Sequence, residues 1–92
     1  MKTICIHAGL LKHLRSLPAT ERKEIGARIA EAQRSVGQSH LHKGLGLRKL
    51  QDDYFEIRAG LKLRLVFDNT PSELVFEMLG DPDDVKKFLK SR

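Results

Sequence analysis

The chain has 92 residues, 40% of them hydrophobic and 32% charged, with a formal net charge of +5. That length supports one small domain over residues 1–92 with a single core. It contains no apolar run near the ~20 residues that span a bilayer, and the lone Cys5 excludes an internal disulfide and a cysteine-built metal cage. The opening MKTICIHAG lacks the apolar core of a signal peptide, so the expected location is the cytoplasm, with no membrane partner.

KTICI, with β-branched Thr3, Ile4 and Ile6, predicts a first strand. The period then changes. Leu10, Leu14 and Leu17 fall at i, i+4 and i+7, with Leu11 beside them, and define the apolar stripe of a helix. Pro18 ends it and suits the first turn of the next helix, with Thr20 as a competing N-cap. The second helix runs to about Val36, with Ile25, Ile29, Ala32 and Val36 on one face. Glu24 and Arg28 form an i, i+4 pair in the favourable order, worth ~0.3–0.5 kcal/mol. Gly26 weakens that helix by up to ~1 kcal/mol, which a close approach of a neighbouring element would explain. Gly37 is a natural stop.

QSHLHKGLGLRKLQDD has no clear period and reads as a loop with a brief extended piece. YFEIR, KLRLVFD and ELVFEML then read as three strands separated by AG and NTPS, an antiparallel meander. Alternation puts Phe55 and Ile57 on one face, and Glu56 and Arg58 on the other. It likewise sets Leu63, Leu65 and Phe67 against Lys62, Arg64 and Val66. In the last strand Leu74, Phe76 and Met78 make the better core row. A final helix, about Pro82 to Lys90, carries Val85, Phe88 and Leu89 on its apolar side. The expected fold is α+β in the order β-α-α-β-β-β-α. Two N-terminal helices pack on one face of a small, mostly antiparallel sheet, and a short helix closes the chain.

The pI near 9.7 points to a polyanionic partner such as RNA. Ten Lys/Arg face three Asp/Glu up to Lys49, three face six from Leu50 to Gly80, and four face three from Asp81 onward. The basicity therefore belongs to the first half and the tail. Arg58, Lys62 and Arg64 project from adjacent strands to one surface, and the loop adds Arg48 and Lys49. Fixed positive charge of this kind can hold phosphates and stabilise a phosphorane without a metal. Salt bridges to Glu56 and Glu77 are the alternative use of the same side chains. Tyr54 lies beside the cluster, where it can stack a base or pack at the sheet edge.

Two stretches invite a metal reading. His40 and His42 share a face only on an extended segment, and no third ligand lies near them in sequence. GDPDDV, Gly80 to Val85, gathers three carboxylates. A hard cation is conceivable there, but a helix start asks for less. Asp81 suits the N-cap, Pro82 the first position, and Asp83 and Asp84 the first-turn dipole, with Asp84 placed for a capping box. No metal and no cofactor is expected.

LLKHLRSLPATERKEIGARI, RKLQDDYFEIRAGLKLRLVF and the terminal DDVKKFLKSR together resemble the RelE/ParE toxin superfamily of type II toxin–antitoxin modules, over nearly the whole chain. The most specific part is a Lys-Leu, a hydrophobic-Glu-hydrophobic-Arg strand, a Gly turn, and an Arg opening a strand of Leu-Val-Phe type. The resemblance implies the element order derived above and a small cognate antitoxin as partner. RelE-type members cut mRNA in the ribosomal A site, an mRNA-interferase activity that needs neither metal nor cofactor. ParE-type members act on DNA gyrase instead. By resemblance, Arg64, Arg58 and Lys86 are the catalytic candidates, and Lys43, Arg48, Lys49, Tyr54 and Lys62 would contact RNA. The pattern departs in two places. Glu56 stands where the best-studied nucleases have Lys; Asp81 or Pro82, and Lys86, stand where they have His or Arg and then Tyr. Ribosome-dependent mRNA cleavage is the leading expectation. A non-nucleolytic gyrase toxin, or an inactive relative that only binds antitoxin or RNA, is the alternative.

Overall fold

Apolar spacing along the chain closes into one five-stranded sheet covered by helices on both faces. The structure, a computed structural model, describes residues 1–38 and 44–92; His40, His42 and Lys43 lie outside the described residues. The elements are β1 (Thr3–Ile6), α1 (Ala8–Arg15), α2 (Ala19–Ser35), β2 (Arg48–Lys49), β3 (Tyr54–Arg58), β4 (Arg64–Asn69), β5 (Glu73–Gly80) and α3 (Pro82–Lys90). The sheet order is β1-β5-β4-β3-β2. β1 runs parallel to β5, and every other pairing is antiparallel. The expected order holds, with the brief extended piece supplying β2 at one edge. Among the described residues no helix is long and apolar enough to cross a membrane.

The main core lies between the sheet and the two N-terminal helices. Leu10 and Leu14 of α1, and Ile25, Ile29 and Ala32 of α2, are buried against Ile57, Leu65, Phe67, Leu74 and Phe76. Phe67 is its centre: it stacks on Phe55 at 5.9 Å and packs on Phe76 at 5.1 Å between centroids. Each fully buried side chain of this size stabilises the fold by about 1.5–3 kcal/mol.

β5 departs from strict alternation. Val66 pairs with Met78 while the next residue, Phe67, pairs with Phe76, so Glu77 is an extra residue in a β-bulge. The bulge moves Leu79, not Met78, into the row with Leu74 and Phe76. The expected row therefore breaks at its last member. Val66 is buried although it points away from the main core, because α3 packs over β4 and β5 on that face. There Val85 is buried, Phe88 meets Tyr54 edge-on at 5.4 Å, and the Arg92 guanidinium lies 4.3 Å over the Phe88 ring. Arg92 also reaches Glu77 at 3.8 Å, tying the end of the helix to the bulge.

The helix starts differ in how closely they follow expectation. α3 has a full capping box: Asp81 Oδ1 accepts from the Asp84 backbone at 2.8 Å, and Asp84 Oδ2 accepts from the Asp81 backbone at 3.0 Å. Pro82 takes the first helical position. A Cβ on Gly80 would lie 2.7 Å from Asp84, so this box forms only beside a glycine. At α2, Pro18 is itself the N-cap, with no side-chain cap bond, rather than a first-turn residue. Thr20 lies inside the helix.

Two further expectations for α2 and the β3–β4 hairpin are corrected. Arg28 pairs with Glu31 at 3.1 Å, not with Glu24. Its planar fork also donates to the carbonyls of Arg58 (2.8 Å) and Leu45 (3.1 Å), binding α2 to the rim of the sheet. β4 begins at Arg64, and Ala59 donates to the Leu63 carbonyl at 3.0 Å, so Lys62 and Leu63 belong to the connecting loop.

Gly26 has no close neighbour: a Cβ there would meet nothing within 4 Å. Its small size serves no packing, and it remains a weak point of an exposed helix face. Gly26→Ala is expected to raise the unfolding free energy by about 0.5–1 kcal/mol, read from urea midpoints at unchanged slope.

Candidate functional site

The short strand β2 aligns Arg48 with Glu56, and the β3–β4 ladder aligns Arg58 with Arg64. Alternation then sends Arg48, Glu56, Arg58 and Arg64 to the face that α3 covers. Because α3 covers only part of that face, a cleft of about 190 Å³ remains between the helix and the sheet edge. Arg48, Leu50, Glu56 and Arg64 line it from the sheet side; Pro82, Val85, Lys86 and Leu89 line it from the helix.

Glu56 lies at the centre of this arrangement, with a side chain only 9% exposed. Its Oε2 is 3.4 Å from Arg48 Nε and 3.8 Å from Arg64 Nε. Arg64 Nη1 also donates to the Leu63 carbonyl at 3.1 Å, while its Nε stays within ion-pair range of Glu56. Arg48 is largely exposed, and Lys86 closes the opposite wall. Three cations and one carboxylate thus share a cleft whose remaining walls are apolar. An incoming phosphate would meet fixed positive charge there.

The residues singled out from the sequence are only partly brought together. Arg64, Lys86 and Arg48 meet in the cleft. Arg58 is on the same sheet face, but its stem lies over Gly46 and it lines a separate open depression with Glu24, Ala27 and Arg28. Gly46 has φ 72°, and a Cβ there would stand 2.8 Å from Arg58 Cγ, so the crossing requires glycine on both counts. Lys62 lines a neighbouring depression of about 360 Å³ with Leu61, Arg64, Asp81, Pro82 and Asp83. Lys49 pairs with Phe55 and is directed to the opposite face from Arg48. The Tyr54 ring is packed against Phe88. Lys43 lies outside the described residues.

In sequence Glu56 is only one of several possible salt-bridge partners, with no sign of a central place, and Leu50, Val85 and Leu89 give no sign of lining a common cleft. The β2 register and the docking of α3 create both features, and neither leaves a local signal in the sequence.

Two side chains at the ends of the α3–sheet contact have displaced pKa values. Burial, and then the Glu77 carboxylate, push the Tyr54 hydroxyl above its ordinary range, so it remains protonated at neutral pH. Asp81 is held below the usual carboxylate range, chiefly by the backbone N–H of Asp84. The three aspartates of GDPDDV do not converge on one point, and no group of three potential metal ligands occurs among the described residues.

No family model and no curated protein matches the chain in sequence. Solved structures do match in shape. The intact RelBE toxin–antitoxin complex of E. coli aligns with a TM-score of 0.68 at 19% identity, over 88% of this chain and 96% of that one. The RelB–RelE antitoxin–toxin complex of Methanococcus jannaschii gives 0.66 at 21%, over 91% and 96%. The isolated RelE toxin of E. coli gives 0.66 at 18%, over 99% and 98%. This chain therefore has the RelE-like fold, and the agreement extends over nearly its full length.

The position of α3, one wall of the cleft, depends on the Asp81 cap. A depressed carboxylate stabilises the fold above its unfolded value, about pH 3.9, and that contribution is lost as pH falls through the folded value. Asp81→Ala should therefore lower the melting temperature at pH 7, and the gap to the parent protein should shrink steadily below about pH 4. Melting curves of both proteins between pH 2 and 7 test this, and a gap independent of pH would contradict it.

Proposed function

We propose that this chain is the toxin of a toxin–antitoxin pair and that it inhibits translation by cleaving mRNA on the ribosome. The observation carrying this reading is the convergence of Arg48, Arg64 and Lys86 on one narrow cleft, on a RelE-like fold. Arg64 and Arg48 would bear on the scissile phosphate. The ribose 2′-oxygen attacks the adjacent phosphorus and loses its proton to solvent. The bond to the 5′-oxygen breaks, and Lys86 protonates that leaving oxygen. The products are a 2′,3′-cyclic phosphate and a 5′-hydroxyl. Fixed guanidinium charge stabilises the pentacovalent phosphorane between them. The ribosome would supply the substrate's bent geometry, since the cleft itself is small and open at one side.

The partner is a small cognate antitoxin. Similar folds have been solved as antitoxin–toxin complexes, and the formal charge of +5 suits an acidic binding segment.

One observation favours a second reading, a non-nucleolytic toxin acting on a protein such as DNA gyrase. Asp81 and Asp83 border the depression that shares Arg64 with the cleft, and their charge opposes a polyanion.

Expression without a partner separates the readings. Growth should stop, labelled amino-acid incorporation should fall within minutes, and cellular mRNA should acquire new 5′ ends inside coding sequence. Incorporation that continues while DNA synthesis halts would favour the gyrase reading. Arg64→Ala should abolish the arrest. It also leaves buried Glu56 short of a cation, at about 1–3 kcal/mol of stability. A melting curve at the assay temperature checks that Arg64→Ala is folded, and a folded Arg64→Ala protein that still arrests growth would remove Arg64 from the working site.

A further inference from the structure

Among the described residues lining the cleft, Glu56 is the only acid. A nuclease that must attract phosphate gains nothing from a carboxylate there unless the carboxylate does something else. The contacts indicate what that is. Both guanidiniums approach the same oxygen, Oε2, and both do so through Nε, at 3.4 Å for Arg48 and 3.8 Å for Arg64. Arg64 Nη1 is bonded separately to the Leu63 carbonyl. The two arginines come from β2 and β4, on opposite sides of β3, and Glu56 of β3 lies between them. Arg48 is 72% exposed, and without an anchor its long side chain would sample many rotamers.

From this geometry we infer that Glu56 is a positioning residue, which holds the Arg48 and Arg64 guanidiniums at one spacing so that both address a single phosphate. The inference rests on the cleavage reading for its catalytic consequence, but not for the tether itself. Repulsion between two neighbouring guanidiniums is offset by a carboxylate placed between them. Glu56 thereby reduces the cleft's net charge while increasing its order. Rate then depends on Glu56 more than binding does, because orientation matters most in the transition state.

Glu56→Gln keeps the side chain's shape and removes its charge. Three measurements on the full chain test the inference, with a melting curve confirming that the variant is folded. First, the Nε–H resonances of Arg48 and Arg64 should both move toward the position of exposed arginines, as seen in nitrogen–proton correlation spectra. Second, kcat for cleavage of ribosome-bound mRNA should fall about ten- to a hundredfold, with KM unchanged or lower. Third, a short single-stranded RNA oligonucleotide should bind no more weakly than to the parent protein, because the cleft is more positive. Unmoved arginine resonances would overturn the tether. An undiminished kcat would overturn its catalytic consequence, and so would equal losses of binding and rate, which mark a merely structural role. If the parent protein cleaves no RNA, the proposed function falls, and the arginine resonances alone decide whether Glu56 is a tether.

Discussion

Glu77 is one residue too many for β5, and the fold depends on that surplus. With strict period two, Met78 would join Leu74 and Phe76 on the main core and Leu79 would face the other side. Here the bulge directs Leu74, Phe76 and Leu79 to the main core and sends Met78 to the other face, beside Val66. Val66, which faces that side by simple alternation, and Met78 give the sheet apolar surface there as well. α1 and α2 take one face, α3 takes part of the other, and the uncovered part of that second face is the cleft. Glu77 also pairs with Arg92 at 3.8 Å, so the bulged residue meets the end of the helix that covers this face.

The electrostatics of the cleft follow from that partial cover. A fully exposed Arg–Glu pair would be worth about 0–1 kcal/mol and would order little. A fully buried one would bear a large desolvation penalty. Glu56 falls between these limits. It is shielded by the strands and the helix, while Arg48 stays largely in water. Such a site can keep its cations ordered and still exchange partners with an incoming anion. The capping box at Asp81 fixes the start of α3, and with it the distance of Lys86 from the two arginines.

Much of the fold was legible in the sequence. Leu10, Leu14 and Leu17 signalled α1, and Ile25, Ile29 and Ala32 signalled α2, because helical period is a local property. The cap at GDPDDV was legible for the same reason: its bonds join residues three apart. Met78 was misplaced because a bulge is decided by the partner strand's register. Arg28 was misassigned because two carbonyls from Leu45 and Arg58, distant in sequence, compete better than Glu24 for its donors. For the site, Arg64, Arg48 and Lys86 could be named in advance, but their meeting could not. Arg58 and Lys49 carry the same charge, yet one lies over Gly46 and the other faces away.

By itself the sequence determined where helices and strands form, which of their faces are apolar, and that the chain is basic in its first half. These are properties of neighbouring residues, written as period, cap chemistry and charge. Only the tertiary structure decided that Glu56 lies between Arg48 and Arg64, that Tyr54 packs on Phe88, and that α3 leaves a cleft beside Lys86. Those outcomes depend on strand register and helix docking, where residues many positions apart compete for the same neighbour, and no local pattern records which of them wins.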